Sequence, residues 1–159
     1  MNTERKRGHR IRLWIYASLS LAIMTAIFLL SAQRAEDSTE LSSTFLSGPI
    51  GAFLARFLPR LSDRGLDFDI RKYAHMFEYF CLGVGVCLFF SETLEKRWPA
   101  FFSAVAFCFL YACSDELHQS FVPGRAALFS DVLIDGAGYL LGPALTALLY
   151  PRRKSDPGV

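Results

Sequence analysis

Residues 13–30 read LWIYASLSLAIMTAIFLL, a run of 18 residues without a charged side chain. As a helix, a run of this length crosses the hydrocarbon layer of a bilayer, which is about 30 Å thick. Three more apolar runs follow, at residues 73–90, 99–114 and 126–150. The sequence therefore predicts an all-α protein, an integral membrane bundle of four transmembrane helices.

The overall composition agrees with a membrane protein. Hydrophobic residues make up 52% of the 159 residues, and they occur in blocks rather than with the amphipathic periodicity of a soluble domain. The net charge of +2 is small and the basic residues form no stripe, so no nucleic-acid partner is predicted. The cysteines lie in apolar runs without a CxxC pair, which indicates small buried side chains: Cys81, Cys87, Cys108 and Cys113.

The chain begins with a basic segment that contains Arg5, Lys6 and Arg7. A signal peptide also has a basic start before an apolar run, but this run is long for one, and residues 31–33 form a weak cleavage site. The first run is therefore predicted to remain as a membrane span. The chain then divides into a basic N-terminus at 1–12, a four-helix membrane domain at 13–150 and a basic tail at 151–159.

Basic residues also predict the orientation of the bundle. With four spans, the two termini and the loop at Lys96 and Arg97 share one side of the membrane. That side carries ten of the 17 Lys and Arg residues. Because cytoplasmic loops are richer in Lys and Arg, both termini are predicted to lie in the cytoplasm of a bacterial plasma (inner) membrane.

The first outer loop is expected to contain one short helix. Residues 33–47 form a polar stretch, and an amphipathic segment follows at residues 50–61. Its apolar residues have helical spacing: Ile50, Phe53, Leu54, Phe57, Leu58 and Leu61. Such a helix either lies on the membrane surface or packs over the bundle as a cap, and we expect the cap.

Two polar clusters interrupt the apolar pattern at the outer ends of the second and third spans. In the first, Arg71, His75 and Glu78 are spaced to share one helix face. Tyr79 lies beside them, and Lys72 is expected to point away, toward lipid headgroups. Because ionisable groups in membrane helices are costly, such clusters usually have a function.

In the second cluster, Asp115, His118 and Gln119 share a face and Glu116 is displaced from it. The fourth span starts with Asp131 and Asp135, and the small residues Gly138 and Gly142 continue that spacing, which favours close approach of a neighbouring helix. The outer ends of all four helices are predicted to form one polar site. The candidate acid–base residues are His75, Glu78, Asp115, His118 and Asp131, and the candidate ligand-binding residues are Gln33, Arg71, Lys72, Tyr79, Glu116, Gln119 and Arg125.

Three interpretations of this site stay open. In the first, the charges only neutralise one another and fix the packing of the helices. In the second, its arginines bind the phosphate of an anionic lipid headgroup. In the third, a histidine paired with a carboxylate, His75 with Glu78 or His118 with Asp115, acts as general acid or base there. Whether the protein is an enzyme is left open.

No metal or other cofactor is predicted. The spacings His-x-x-Glu and Glu-x-His, which contain His75 and His118, are not those of known zinc sites, and the nearby arginines disfavour a cation. The chain also shows no internal repeat, which disfavours a transporter.

The chain resembles the VanZ-like family of small bacterial membrane proteins, from about residue 13 to residue 149. The matching motifs are Phe28 with Ser31-Ala32-Gln33, RKYAHMFEY at 71–79, DELHQSFVPGR at 115–125, and Asp131-Val132 with the glycines after it. The family is named for a protein encoded with glycopeptide-resistance genes and linked to reduced teicoplanin susceptibility. The resemblance therefore implies a role in the bacterial envelope, at the level of peptidoglycan precursors or their lipid carrier.

Two functional hypotheses follow. In the first, the outward-facing site binds, and in one version also modifies, an anionic envelope lipid such as an isoprenoid phosphate or a peptidoglycan precursor. In the alternative, the protein is a non-enzymatic accessory subunit of an envelope synthase, and the charged patch is structural or an interface. A homodimer is a further possible assembly.

Overall fold

The structure is a computed structural model that describes residues 3–59, 65–94 and 96–150, except for the side chain of Asp67. Within these ranges the regular elements are six helices: α1 Thr3–Ser31, α2 Ala35–Ser47, α3 Pro49–Leu54, α4 Leu66–Thr93, α5 Arg97–Gln119 and α6 Phe129–Leu149. Four of them, α1, α4, α5 and α6, are long and apolar enough to cross a membrane. The predicted all-α bundle with four spans is confirmed.

The spans are longer than the apolar runs that predict them. α1 has 29 residues and begins at Thr3, inside the segment expected to be a separate basic N-terminus. Arg and Lys are good helix formers, so the helix continues past the membrane boundary. At 1.5 Å per residue α1 is about 43 Å long, more than the thickness of the hydrocarbon layer, so part of it projects beyond that layer.

Two glycines bring α6 into backbone contact with α4. A Cβ atom on Gly138 would lie 2.0 Å from the carbonyl oxygen of Met76, and one on Gly142 would lie 2.3 Å from that of Phe80. Any larger residue would push the two helices apart. The close approach predicted from the spacing of these glycines is confirmed.

The core lies between the four spans and contains small and aromatic side chains. Tyr79, Cys87 and Cys108 are fully buried in it, while Cys81 and Cys113 are half-buried. All four cysteines are free thiols, as expected for side chains that only pack.

Most of the polar stretch at residues 33–47, for which the sequence predicted no helix, forms α2 (Ala35–Ser47). The hydroxyl of Ser42 donates a hydrogen bond to the carbonyl of Ser38 at 2.6 Å, and three other hydroxyl side chains of α2 bond to their own helix in the same way. Glu36 lies in the first turn, where its negative charge interacts favourably with the positive end of the helix dipole. Polar composition is therefore compatible with a helix here because the helix itself satisfies its polar groups.

The short amphipathic helix expected in the first outer loop is present as α3, but it is shorter than the amphipathic segment. It is helical only as far as Leu54, where α3 ends, and residues 60 and 61 lie outside the described part of the chain. Its apolar side chains do not cover the bundle: Ile50, Phe53 and Phe57 are 68%, 61% and 70% exposed. The expectation of a cap is wrong for the described residues, because the apolar stripe faces away from the spans.

Candidate functional site

A polar cavity lies at the end of the bundle where α1 and α5 end and α4 and α6 begin. We call this the cavity end, and the opposite one, near both chain termini, the terminal end. The cavity measures about 180 Å³, which is room for several waters at about 30 Å³ each. Buried side chains of Glu116, Gln119 and Asp135 form its floor, and exposed Gly124 and Ala126 lie at its rim.

Seven of the twelve candidate residues line this cavity: Arg71, Lys72, His75, Glu116, Gln119, Arg125 and Asp131. Asp135, which sequence spacing places one turn after Asp131, joins them. The other five lie outside the lining: Gln33, Glu78, Tyr79, Asp115 and His118. The structure thus brings polar residues from α4, α5, α6 and the loop before α6 to one place, and leaves part of the candidate set behind its wall.

Lys72 lies in the cavity wall and does not point away toward headgroups. Its Nζ forms an ion pair with Oδ1 of Asp131. The side chains are 13% and 25% exposed, so the pair is largely shielded from solvent. It connects the first turns of α4 to the first turn of α6.

Arg71 and Lys72 both lie close to the aromatic ring of Phe68. Cζ of Arg71 is 5.5 Å and Nζ of Lys72 is 4.8 Å from the centroid of the Phe68 ring, both within cation–π range. Nη1 of Arg71 also donates to the carbonyl of Ala35 at 3.5 Å, at the start of α2. Two of the cations in the cavity wall therefore come from the first turns of α4.

Arg125 is held by four oxygen acceptors. Its Nε donates to the carbonyl of Gln33 at 3.0 Å and its Nη1 to Oε1 of Gln119 at 3.1 Å. Its Nη2 donates to Oγ of Ser38 at 2.6 Å and to the carbonyl of Leu30 at 3.4 Å. This one side chain therefore joins the end of α1, the start of α2 and the end of α5.

The charge of Arg125 has uncharged immediate neighbours. None of its four acceptors is a carboxylate, and one of the five guanidinium N–H groups has no hydrogen bond within the described part of the chain. Burial lowers the pKa of Arg125, and the nearby charge of Arg71 acts in the same direction. An arginine nevertheless stays protonated, so the cavity wall keeps this positive charge.

The carboxylates of the cavity have different surroundings. Oε2 of Glu116 accepts a hydrogen bond from the backbone N–H of Leu128 at 2.8 Å, just before α6 begins, where a negative charge stabilises a helix. Asp131 is paired with Lys72. Asp135 is 4% exposed, and no hydrogen bond links it to any other described residue.

Asp115 belongs to the contact between α1 and α5. Its Oδ2 accepts hydrogen bonds from Oγ of Ser31 at 2.9 Å and from Nε2 of Gln119 at 3.1 Å. Its Oδ1 is buried and has no hydrogen-bond partner among the described residues. Gln119 therefore connects Asp115 to Arg125 and lets the buried network reach the cavity.

The two histidines have different environments. His75 lines the cavity, whereas the ring of His118 stacks on Phe28 with centroids 4.5 Å apart. In the described part of the chain, neither His75 with Glu78 nor His118 with Asp115 forms a hydrogen bond. The histidine–carboxylate pairs considered for acid–base chemistry are thus not assembled in this structure, and His75 alone lies where a ligand would be.

One family model, VanZ/LLP1, matches residues 14–150. The chain belongs to the VanZ/LLP1 family. The match includes the apolar core of α1, the whole cavity and the other three spans, and it agrees with the resemblance carried by the motifs at 71–79 and 115–125. No curated protein and no solved structure matches the chain.

This VanZ/LLP1 protein has a second charged cluster, at the terminal end, that sequence reasoning missed. Oε1 of Glu92 accepts from Nε of Arg12 at 2.7 Å and from the hydroxyl of Tyr150 at 2.5 Å. Nδ1 of His9 lies 2.7 Å from Oε2 of the same carboxylate. Burial and the bond to Glu92 raise the pKa of Tyr150, so it donates as a neutral phenol. The only sequence signal was an acidic residue at the end of an apolar run.

Proposed function

We propose that the cavity binds the phosphate-bearing headgroup of an anionic envelope lipid. In this proposal the cavity end lies at the outer leaflet of a bacterial plasma membrane, with both termini in the cytoplasm. The observation that carries the proposal is one cavity with Arg71, Lys72 and Arg125 in its wall, in which the guanidinium of Arg125 contacts only uncharged acceptors among the described residues.

The position of the charges in the cavity favours an anion near Arg125. Asp131 is paired with Lys72 and Glu116 with a backbone N–H, and none of the hydrogen bonds of Arg125 among the described residues goes to a carboxylate. A phosphate brings a charge of about −1.5 to −2 and several acceptor oxygens. Hydrogen bonds between such a group and arginine or lysine are charge-assisted and are among the strong ones in proteins.

The size of the cavity limits the ligand. Pockets that enclose drug-sized molecules measure about 300–1,000 Å³. At about 180 Å³, this cavity holds a phosphate and the atoms next to it, but not a complete sugar–peptide headgroup. An isoprenoid phosphate fits this limit, and the larger part of a peptidoglycan precursor would remain outside the rim.

Chemistry on the bound headgroup is the extended form of the proposal. His75 is the titratable side chain with the right position for it, because it is the histidine in the cavity wall. The family resemblance implies a role in the envelope, and a link to reduced teicoplanin susceptibility belongs to the same proposal, because a protein that holds or alters such a lipid acts on the envelope.

Lipid binding is tested by gentle purification from bacterial membranes and mass spectrometry of the lipids that stay bound. We expect an isoprenoid phosphate or another phosphate-bearing lipid with the unchanged protein, and at least about tenfold less with Arg71→Ala. A tenfold loss corresponds to about 1.4 kcal/mol, the lower range for a hydrogen bond to a charged group.

Two matched controls keep this test specific. Arg56→Ala removes an exposed arginine from the turn after α3, and His118→Ala removes the histidine that lies outside the cavity, to be compared with His75→Ala. Both controls should retain the lipid. Equal retention by Arg71→Ala and Arg56→Ala, with all proteins folded, would contradict the proposal.

A non-enzymatic accessory subunit is the second candidate. It is favoured by the bonds of Arg125 and by the pair of Lys72 with Asp131, both of which join helices and need no ligand. In that case the same purification should yield an envelope-synthesis protein at constant stoichiometry and no phosphate-bearing lipid.

A further inference from the structure

α2 has three faces with different chemistry. Ser38 and Ser42 are 6% and 7% exposed and face the bundle. Leu41 and Phe45, four residues apart and so on one face, are 57% and 44% exposed. The remaining exposed residues are polar: Glu36, Asp37, Glu40, Ser43, Thr44 and Ser47. A helix in water buries its apolar residues, whereas this one buries serines and exposes a leucine and a phenylalanine.

α3 extends the apolar face of α2. It packs on the end of α2 so closely that a Cβ atom on Gly51 would lie 2.1 Å from the carbonyl oxygen of Phe45. The exposed side chains of Phe53 and Phe57 are in contact with each other, with ring centroids 5.0 Å apart. These side chains are 61% and 70% exposed, so most of their apolar surface is available to the surroundings.

Both ends of this region are attached to membrane spans. α2 begins at Ala35, four residues after the end of α1. On the other side, the hydroxyl of Tyr73 in α4 donates to the carbonyl of Pro59 at 2.8 Å. The region therefore stays at the membrane boundary of the cavity end, where Phe121 and Phe129 are also exposed.

We propose that α2, α3 and the turn after α3 lie in the interfacial layer of the bilayer at the cavity end, with Leu41, Phe45, Phe53 and Phe57 among the acyl chains. The partner of this surface is the lipid bilayer. Each face of α2 then has a suitable environment: the bundle for its serines, water for its acidic residues and hydrocarbon for its apolar edge. Helices of this kind lie about 5–10 Å deep, at the boundary of headgroups and acyl chains.

This position has a consequence for the cavity. Ala35, the first residue of α2, is part of the cavity lining, so the mouth of the cavity is held at the depth of the lipid headgroups. The proposal concerns the location of α2 and α3 and holds whether or not the cavity binds a lipid.

Tryptophan fluorescence tests the location. The chain has two tryptophans, Trp14 and Trp98, both exposed, which Phe can replace. In that background, Phe53→Trp reports on the apolar face and Glu40→Trp on the polar face of α2. Both proteins are reconstituted into vesicles of phosphatidylcholine and phosphatidylglycerol, with bromine atoms on the acyl chains as a lipid-phase quencher and iodide as an aqueous one.

We expect Phe53→Trp to have blue-shifted emission, to lose more than half of it to bromines near the headgroup end of the chains, and to be protected from iodide. Glu40→Trp should behave in the opposite way. Quenching of Phe53→Trp by iodide would overturn the proposal. Protection of Phe53→Trp from both quenchers would also overturn it, because a protein partner or a second copy would then cover the face. Phe57→Trp is the second probe if Phe53→Trp does not fold.

Discussion

The two ends of the bundle both bury ionisable side chains, but these side chains have different bonding partners. At the terminal end, Glu92 is 2% exposed and receives Arg12, His9 and Tyr150. At the cavity end, Asp135 is equally buried, has no hydrogen bond to a described residue and faces a cavity. An ionisable group inside a membrane protein is costly, so its presence needs an explanation.

The comparison separates two explanations for buried charge. Where protein donors surround a carboxylate, as at Glu92, the packing of three helices is a sufficient explanation for the buried charge. Where a carboxylate faces a cavity, the missing interactions point to something that enters. The cavity end contains ionisable side chains of both kinds: Arg125 is hydrogen-bonded to the protein, while Asp135 has no hydrogen bond to a described residue.

The largest effect is expected from Arg125→Leu, although this residue lines the cavity. The substitution leaves four oxygen acceptors without their donor, two of them on the buried residues Ser38 and Gln119. Since each buried polar group without a partner costs about 1–3 kcal/mol, we expect a loss of roughly 3 kcal/mol in the free energy of unfolding. Thermal unfolding in lipid-free detergent measures it.

Arg56→Leu, at an exposed position, serves as the control and should change the stability little, by about 0.5 kcal/mol or less. If the two substitutions had equal effects, Arg125 would not be the residue that joins α1, α2 and α5.

The next largest effect is expected from Glu92→Gln at the terminal end. The amide loses charge-assisted bonds to Arg12, and we expect a loss of about 1.5–3 kcal/mol. Breaking a fully buried ion pair costs about 3–5 kcal/mol, but Arg12 is 43% exposed and regains water, which argues for the lower figure. The measurement is again thermal unfolding. An unchanged unfolding temperature would show that the terminal cluster contributes nothing to stability.

Asp135→Asn should have its effect on binding. Asp135 has no bonded partner, so replacing its carboxyl group by an amide breaks no hydrogen bond. The free energy of unfolding should therefore change little. Because the substitution removes an acidic group that opposes a bound phosphate, retention of the phosphate-bearing lipid should rise by up to about tenfold, equivalent to about 1.4 kcal/mol. Lipid mass spectrometry after purification measures this. Normal retention of the lipid together with a large loss of stability would show that Asp135 stabilises the fold and does not take part in binding.

The smallest effect is expected for the pair of Lys72 with Asp131. Its side chains are 13% and 25% exposed, so the pair is neither fully buried nor fully hydrated. A double-mutant cycle with Lys72→Met and Asp131→Asn should give a coupling energy of about 1 kcal/mol or less in lipid-free detergent. A much larger coupling would mean that this pair, like the Glu92 cluster, mainly holds helices together.

The sequence predicts the fold well, for a physical reason. Crossing a bilayer requires about 20 consecutive apolar residues, and that requirement is visible in the composition of each run. The close approach of a neighbouring helix to α6 was also predictable, because the spacing of Gly138 and Gly142 shows which face of α6 carries small residues, although it does not show that the neighbour is α4. α2 was not, because its polar residues look like a loop until their bonds to their own helix are known.

The site was predictable in outline and not in detail. Helix ends that share a side of the membrane must lie near one another, so Arg71, His75 and Asp131 could be grouped. Which way each side chain faces depends on how a helix is rotated against its neighbours, and this placed Lys72 in the cavity and Glu78 outside it. The Glu92 cluster was missed because Arg12 lies 80 residues away along the chain.

The central claim is that the cavity end is a binding site and the terminal end a structural cluster. The most direct test measures bound phosphate-bearing lipid and unfolding temperature on the same preparations of Asp135→Asn and Glu92→Gln. We predict that Asp135→Asn binds more lipid and keeps its unfolding temperature, while Glu92→Gln binds the normal amount of lipid and unfolds at a lower temperature. If both variants lost stability and both bound the normal amount of lipid, the division between the two ends would be contradicted.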